Sequence, residues 1–170
     1  MPHVEHEPRQ LIVGVALMLV TGVVQTFGVV ILEELVDRVR DRVTRDATRT
    51  RMLGVLSAIM TFLFALHLLE MAIWAAFFDS VAEFPSFASA LYESALAFTT
   101  MDIAHLPPGW KFLSAAEGVT GLLMFAWSTG VLFNHTAWVM EARRRYLRRH
   151  HRVGSSRPVG ADQAPRPSGG

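Results

Sequence analysis

Apolar residues in this chain gather into long runs, and charged residues gather into the segments between those runs. The stretch from Leu11 to Leu32 has no charged residue and only three polar ones. A helix rises about 1.5 Å per residue, so these 22 positions cover the roughly 30 Å hydrocarbon core of a bilayer. Two further runs, 52–78 and 118–140, are also long enough to cross. The pattern predicts an all-α membrane protein with three transmembrane helices.

A fourth apolar stretch, from Phe84 to Thr100, lies between the second and third runs and is too short to cross a bilayer. It is compatible with a helix, although Glu93 lies in its middle. Short apolar segments between true spans are typical of re-entrant or interfacial structure. We therefore expect a short re-entrant helix and loop between the second and third transmembrane helices.

The first run is expected to be a retained span and not a cleaved signal peptide. Signal peptides carry a basic N-terminal region and a shorter apolar core that small residues follow. Here one Arg and two Glu precede the run, and Glu33 and Glu34 follow it, which does not match that pattern.

The placement of Lys and Arg predicts the orientation of the three spans. Lys111 is the only Lys or Arg between residues 79 and 117, so this segment is expected outside the cell. The N-terminus is then outside and the C-terminus is cytoplasmic, in a multi-pass protein of the cell membrane. Arginines beside spans favour retention inside and contact with anionic lipid over nucleic-acid binding. They lie in the first loop (Arg38, Arg40, Arg42, Arg45, Arg49, Arg51) and after the last span (Arg143, Arg144, Arg145, Arg148, Arg149, Arg152).

The composition excludes some kinds of site, and its changes along the chain divide the chain into three segments. Hydrophobic residues make up 51% and the net charge is +1, and neither value decides the class of protein. The chain has no Cys, which excludes disulfides, thiolate zinc sites and cysteine catalysis. We divide it into a first span with an Arg-rich cytoplasmic loop (1–51), a central module (52–140) and a basic tail (141–170). The tail is rich in Gly, Pro and Ser from Gly154 onward and is expected to be disordered.

Polar residues inside the predicted spans are candidates for function. His67, Glu70 and Trp74 follow i, i+3, i+7 spacing and share one helix face. His67 and Glu70 could form a proton- or cation-sensitive site, or a polar pair that locks two helices together. They are too few for a metal site. On the third helix, Glu117, Ser128 and the small residues between them could allow close helix approach or border a pore.

The central module has the order of a span, a short apolar helix, a Thr-Thr pair, a Pro-rich exit and another span. Residues 91–100 contain the short helix and its threonines, residues 106–111 read as an L-P-P-x-W-like exit, and Glu117, 121–125 and 127–129 lie in the last helix. In this order and at these residues the module resembles the pore-loop potassium channels, and small bacterial members in particular. The resemblance covers roughly residues 52–138 and implies a homotetramer, because one pore loop per chain needs four chains to close a pore.

The selectivity filter departs from that family. Its V-G-Y-G-D becomes Met101-Asp102-Ile103-Ala104-His105 after Thr99 and Thr100. Glycine adopts the backbone conformations of a carbonyl ladder cheaply and other residues resist them, so potassium selectivity is not expected. A ring of four Asp102 carboxylates would instead attract inorganic cations, and His105 would add a group that titrates near neutral pH. Glu93 could line this loop or support it.

Three functions compete. The first is a cation channel without a potassium-type filter, and the second is a non-conducting membrane scaffold or sensor that keeps the channel fold. The third is an intramembrane hydrolase using Ser128, His67 or His135, and Glu70. It is disfavoured because the sequence has no nucleophile elbow and no H-E-x-x-H motif. We expect no enzyme activity, no cofactor and no resident metal.

Overall fold

The computed structural model describes residues 7–82 and 84–155, and side chains for 8–82 and 84–149. These residues form four α-helices and no strand. The helices are α1 (Glu7–Arg45), α2 (Arg49–Val81), α3 (Phe87–Phe98) and α4 (Lys111–Ser155), with a 3₁₀ turn at Pro108–Trp110 before α4. Three helices are long and apolar enough to cross a membrane, namely α1, α2 and α4, as the apolar runs predict.

Contacts between side chains give the direction of each helix. Gln10 reaches Phe112 and Gln25 reaches Ser128, so residue numbers rise together and α1 runs parallel to α4. Thr21 pairs with Trp74, while Gly28 lies against Leu66, so α2 is antiparallel to α1. The start of α1 and the start of α4 therefore share one end of the bundle, here named the loop end. The Arg-rich connection between α1 and α2 lies at the opposite end, here named the basic end.

The outside of the bundle is strongly apolar. On α1, Ile12, Leu19 and Phe27 are each about two-thirds exposed. Such surface is unfavourable in water and ordinary against lipid tails or a partner helix. Inside, one cluster joins Trp74 and Phe78 to residues of α3, the following loop and α4, and a second lies nearer the basic end around Leu32 and Ile59.

The helices are longer than the apolar runs that predict them. The segment expected to be an Arg-rich loop is helical as far as Arg45, and only residues 46–48 connect α1 to α2. Charges three and four positions apart support a helix in water, as in the Arg38–Glu34 and Arg40–Asp37 ion pairs. Similarly, α4 continues to Ser155, past the Gly154 at which disorder was expected to begin. Residues 156–170 lie outside the described residues.

The short helix α3 fills the space between α2 and α4. Ser86 caps its start by accepting a hydrogen bond from the backbone N–H of Ser89, 3.3 Å away. Its last residue, Phe98, packs against Gly121, which is about 15 Å along α4 from Lys111. The chain then returns to the loop end, where Pro108 opens the 3₁₀ turn and α4 follows.

Candidate functional site

The Thr-Thr pair forms the C-terminal cap of α3. Thr100 has a φ of +58°, a left-handed conformation that is uncommon for a β-branched residue. The Met101 N–H donates to the Leu96 carbonyl at 2.9 Å, and the Thr100 N–H donates to the Ala97 carbonyl at 3.0 Å. These two bonds are the Schellman pattern that satisfies the last carbonyls of a helix. The chain therefore turns sharply at Thr100 and leaves the helix axis.

Beyond the cap, the loop is exposed at residues 101–103 and carries its buried side chains further along. Met101 is 80% exposed and Ile103 is 68% exposed, whereas Ala104 and Leu106 are buried in the cluster around Trp74. The buried Ala104 N–H donates to the Ser114 hydroxyl at 2.8 Å. The segment expected to replace a potassium filter is thus fixed to its own chain at Ala104, and its apolar side chains at 101 and 103 point outward.

Glu93 and His105 form a clasp between α3 and this loop. The Glu93 carboxylate accepts from the His105 backbone N–H at 2.9 Å and lies 3.0 Å from the ring Nδ1. The hydrogen bond and charge of Glu93 raise the pKa of His105 above 6.5, and Asp102 adds to this effect. Of the two roles predicted for Glu93, support of the loop is the one for which it makes contacts.

Asp102 is exposed at the tip of the loop. Its Oδ1 accepts from the Ile103 N–H at 2.7 Å, which leaves the carboxylate open to water on its other side. It borders two grooves, one beside His105 and the other beside Gly118 and Val119 of α4. Lys111 borders both grooves and is a cation available to either one.

His67 and Glu70 pair with each other in the interior. His67 Nδ1 lies 2.8 Å from Glu70 Oε2, and both side chains are buried. Since both residues belong to α2, this bond does not itself join two helices. Other residues form hydrogen bonds between helices; for example, Trp74 Nε1 donates to Thr21 at 3.1 Å, and Gln25 Nε2 donates to Ser128 at 3.0 Å.

Glu117 is completely buried where α2, α3 and α4 meet. Its Oε1 lies 2.5 Å from the Ser94 hydroxyl, which also lies 2.9 Å from the carbonyl oxygen of Met71. A carbonyl oxygen can only accept, and a hydroxyl has one hydrogen to donate. When Ser94 donates to Met71, Glu117 must itself donate to Ser94, so the carboxyl group carries a proton in this arrangement.

The small residues predicted on α4 do allow close helix approach. A Cβ atom on Gly118 would lie 3.2 Å from the Ala97 carbonyl oxygen. At Gly121 the same atom would overlap the carbonyl oxygen of Phe98. Ser128 is buried within the chain and bonded to Gln25. This stripe is therefore occupied by contacts inside one chain.

Sequence reasoning missed four residues of these networks: Thr21, Gln25, Ser94 and Ser114. Each is a single small or amide polar residue in an apolar context. Polar residues in predicted spans usually face protein, which is a signal for Thr21 and Gln25. No comparable pattern marks Ser94 or Ser114, since their partners come from other elements.

Potential metal ligands and comparisons with known proteins give no further information about the site. Within the described ranges, no three His, Asp or Glu residues converge so that they could hold a metal ion. No family model, curated protein or solved structure matches this chain.

Proposed function

We propose that this chain is one subunit of a homotetrameric membrane channel for cations, with a pore-loop layout but without a potassium-type filter. The observation that carries the proposal is the course of α3. Its end at Phe98 lies beside Gly121, about 15 Å along α4, and the chain then returns to the start of α4. If α2 and α4 span the bilayer, this is the path of a re-entrant helix and loop.

The depth of α3 has a second support in α2. Ser94, in the middle of α3, donates to the carbonyl of Met71. Met71 precedes the end of the apolar run at Phe78 by about 10 Å of helix. The 12 residues of α3 extend about 18 Å, which is too short to cross a 30 Å core. A descent and a return from the same side fits this length.

Charge at the turn favours cations. The C-terminal end of α3 carries the negative end of the helix dipole, and the exposed Asp102 carboxylate follows it within four residues. Four copies around an axis would form an acidic ring of the kind that selects cations by side-chain charge. Lys111 opposes this field, since it borders the same grooves. The ring therefore supports selection of cations over anions and no preference for potassium.

The bonding of the loop argues against a carbonyl ladder of the potassium type. The left-handed turn at Thr100 and the anchored Ala104 leave only residues 101–103 free to face an axis. Met101 and Ile103 are the exposed large apolar residues of the loop and would lie at contacts between chains or at the pore mouth. Selection by side chains is consistent with this short free segment.

The test is reconstitution into liposomes with ion-sensitive dyes inside. Wild type should pass Na⁺, K⁺ and Cs⁺ in preference to Cl⁻, and Asp102→Asn should lower the cation-to-anion permeability ratio severalfold. Asp79→Asn, at the exposed end of α2, is the matched control and should leave the ratio unchanged. Native mass spectrometry should give a tetramer. A monomer, or an unchanged ratio in Asp102→Asn, would contradict the proposal.

A non-conducting scaffold or sensor is the second candidate. The burial of Ala104 and Leu106 in the core of their own chain favours it, because a loop fixed in this way resembles a structural plug. This candidate predicts tetramers or larger assemblies whose liposomes are no more permeable than protein-free ones.

A further inference from the structure

Four buried polar atoms in the long helices have no hydrogen-bond partner within the described part of the chain. They are Gln25 Oε1, Glu70 Oε1, Glu117 Oε2 and His135 Nε2, the last of which lies 3.4 Å from Glu33 Oε1 without forming a hydrogen bond. Each side chain is at least nine-tenths buried. A polar atom left without a partner in an apolar interior is destabilising, and native proteins usually satisfy such atoms with protein groups or water. Four of them in one helix bundle point to internal water.

These groups follow one another along the bundle, and together with His67 and Ser94 they are here named the polar column. His135 lies 3.4 Å from Glu33 near the basic end. Ser128, the partner of Gln25, is about 10 Å further along α4, and Glu117 is about 16 Å beyond Ser128. The ring of His67 lies at a height between Ser128 and Glu117, since its centroid is 4.8 Å from that of Phe125, which lies between those two residues on α4. The polar groups therefore recur along the height of the bundle, where internal water would connect them.

The column reaches water at both ends through titratable groups. At the basic end, the Glu33 side chain is 46% exposed. At the loop end, Glu93 precedes Ser94 in sequence and holds the exposed His105. Protons can enter or leave at either end, because Glu33 and His105 both contact solvent.

The interior of the column has acidic and imidazole groups but no fixed cation. No Lys or Arg is among the buried side chains of the described residues. Glu70 has His67 as its partner, and Glu117 has only the Ser94 hydroxyl. Carboxyl groups and histidines that face one another inside spans are the usual components of proton relays. By helix, the titratable groups are Glu33 on α1, His67 and Glu70 on α2, Glu93 on α3, and Glu117 and His135 on α4.

Phenylalanine rings narrow the column at its middle. The His67 ring lies 4.8 Å from Phe125 and 6.0 Å from Phe98 between ring centroids, and those two rings are 5.4 Å apart. A proton can pass this point without an open channel, since it moves as a hydrogen-bond rearrangement through the imidazole.

We infer that each chain carries a proton pathway through its own helix bundle, from Glu33 and His135 to Glu93 and His105. The inference goes beyond the proposed function, because this pathway runs inside one chain and not along an axis between four. At each step a proton binds to one side of a carboxyl, imidazole or water and leaves from the other, so no other reactant is needed.

Proton flux in liposomes tests the pathway. A potassium gradient with valinomycin sets the membrane potential, and a pH-sensitive dye inside the vesicles reports proton entry. Wild type should acidify the interior at least tenfold faster than protein-free vesicles. Glu117→Gln and Glu70→Gln should each remove most of this flux, because an amide cannot bind and release a proton near neutral pH. Glutamine keeps the shape, and its Nε2 can donate to Ser94 in place of a protonated Glu117.

Glu34→Gln is the matched control, since Glu34 adjoins Glu33 but faces solvent in an ion pair with Arg38. It should leave proton flux unchanged. Circular dichroism and size-exclusion elution compare the fold of each variant with wild type, and a Glu→Gln variant that misfolds is replaced by His67→Gln. Wild-type flux equal to that of protein-free vesicles would overturn the inference, as would full flux in both Glu→Gln variants.

Alkali-cation flux in the same vesicles separates this inference from the proposed function. Proton flux without alkali-cation flux would support the pathway and contradict the channel. Alkali-cation flux without proton flux would do the opposite.

Discussion

The backbone of Gly121 lies directly against the carbonyl oxygen of Phe98, so that a Cβ atom on residue 121 would overlap that oxygen. No real Cβ atom is found so close to a backbone oxygen, so only glycine fits. The contact sets how far α3 reaches along α4. Both the Thr100 turn and the Glu93–His105 clasp depend on that depth.

Gly121→Ala should therefore displace α3 and destabilise the protein by about 1–3 kcal/mol, the usual cost of overpacking. Unfolding in mixed detergent micelles measures the change. Gly130→Ala on the same helix is the control, because nothing lies within 4 Å of its added Cβ atom. It should be neutral or slightly stabilising. Equal effects at the two positions would show that the Phe98 contact is unimportant.

The hydrogen bond from Trp74 to Thr21 should couple α1 to α2. Trp74→Phe and Thr21→Val each remove it, and a double-mutant cycle should give a coupling free energy of about 0.6 kcal/mol, typical of bonds between membrane helices. Pairing Trp74→Phe with Thr26→Val is the control, since the Thr26 hydroxyl bonds only to its own helix at Gly22. That cycle should give a coupling free energy of about zero. A zero value for Thr21 as well would mean that the bond does not hold the helices.

Ser114→Ala should loosen the loop at Ala104. The buried Ala104 N–H would lose its partner, at a cost of about 1–3 kcal/mol, and 1.4 kcal/mol corresponds to tenfold. Hydrogen exchange followed by mass spectrometry should show faster exchange in peptides that contain residues 103–106. Ser80→Ala, which removes an exposed hydroxyl near the end of α2, should leave those peptides unchanged. Unchanged exchange in Ser114→Ala would contradict the anchoring role.

The clasp should weaken as pH rises. Because Glu93 raises the pKa of His105, attraction between the two is complete below pH 6.5 and is lost as pH passes through the raised value. In Glu93→Gln the His105 pKa should fall toward 6.5, as NMR titration of labelled histidine would measure. Asp79→Asn should leave it unchanged. A His105 pKa that is the same in wild type and Glu93→Gln would rule out the clasp in solution.

Sequence alone was sufficient to predict three helices long and apolar enough to cross a membrane, because runs of about 20 consecutive apolar residues are characteristic of such helices. It was less informative about where helices end. Hydropathy falls at Glu33, but the helix continues, since ion pairs such as Arg145–Glu141 and Arg38–Glu34 support helical turns in water. The same spacing rule placed His67 and Glu70 on one face, and the structure pairs them.

The contacts between elements could not be predicted in the same way. The bonds from Gln25 to Ser128 and from Ser94 to Glu117 depend on how helices align, which side-chain packing decides. Thr100 is a sharper case, because a β-branched residue argues against positive φ. The two Schellman bonds and the glycine contact at residue 121 outweigh that preference. The tetramer and the passage of ions stay predictions.

The unbroken length of α1 has a mechanical consequence. Its 39 residues extend about 58 Å, more than the 40–45 Å of a bilayer with its headgroups. At the basic end Val43 and Val139 are buried, and Arg40 stacks over Trp138. The bundle thus continues as a packed, positively charged stalk. A torque applied to this stalk would pass along continuous helices into the apolar part of the bundle.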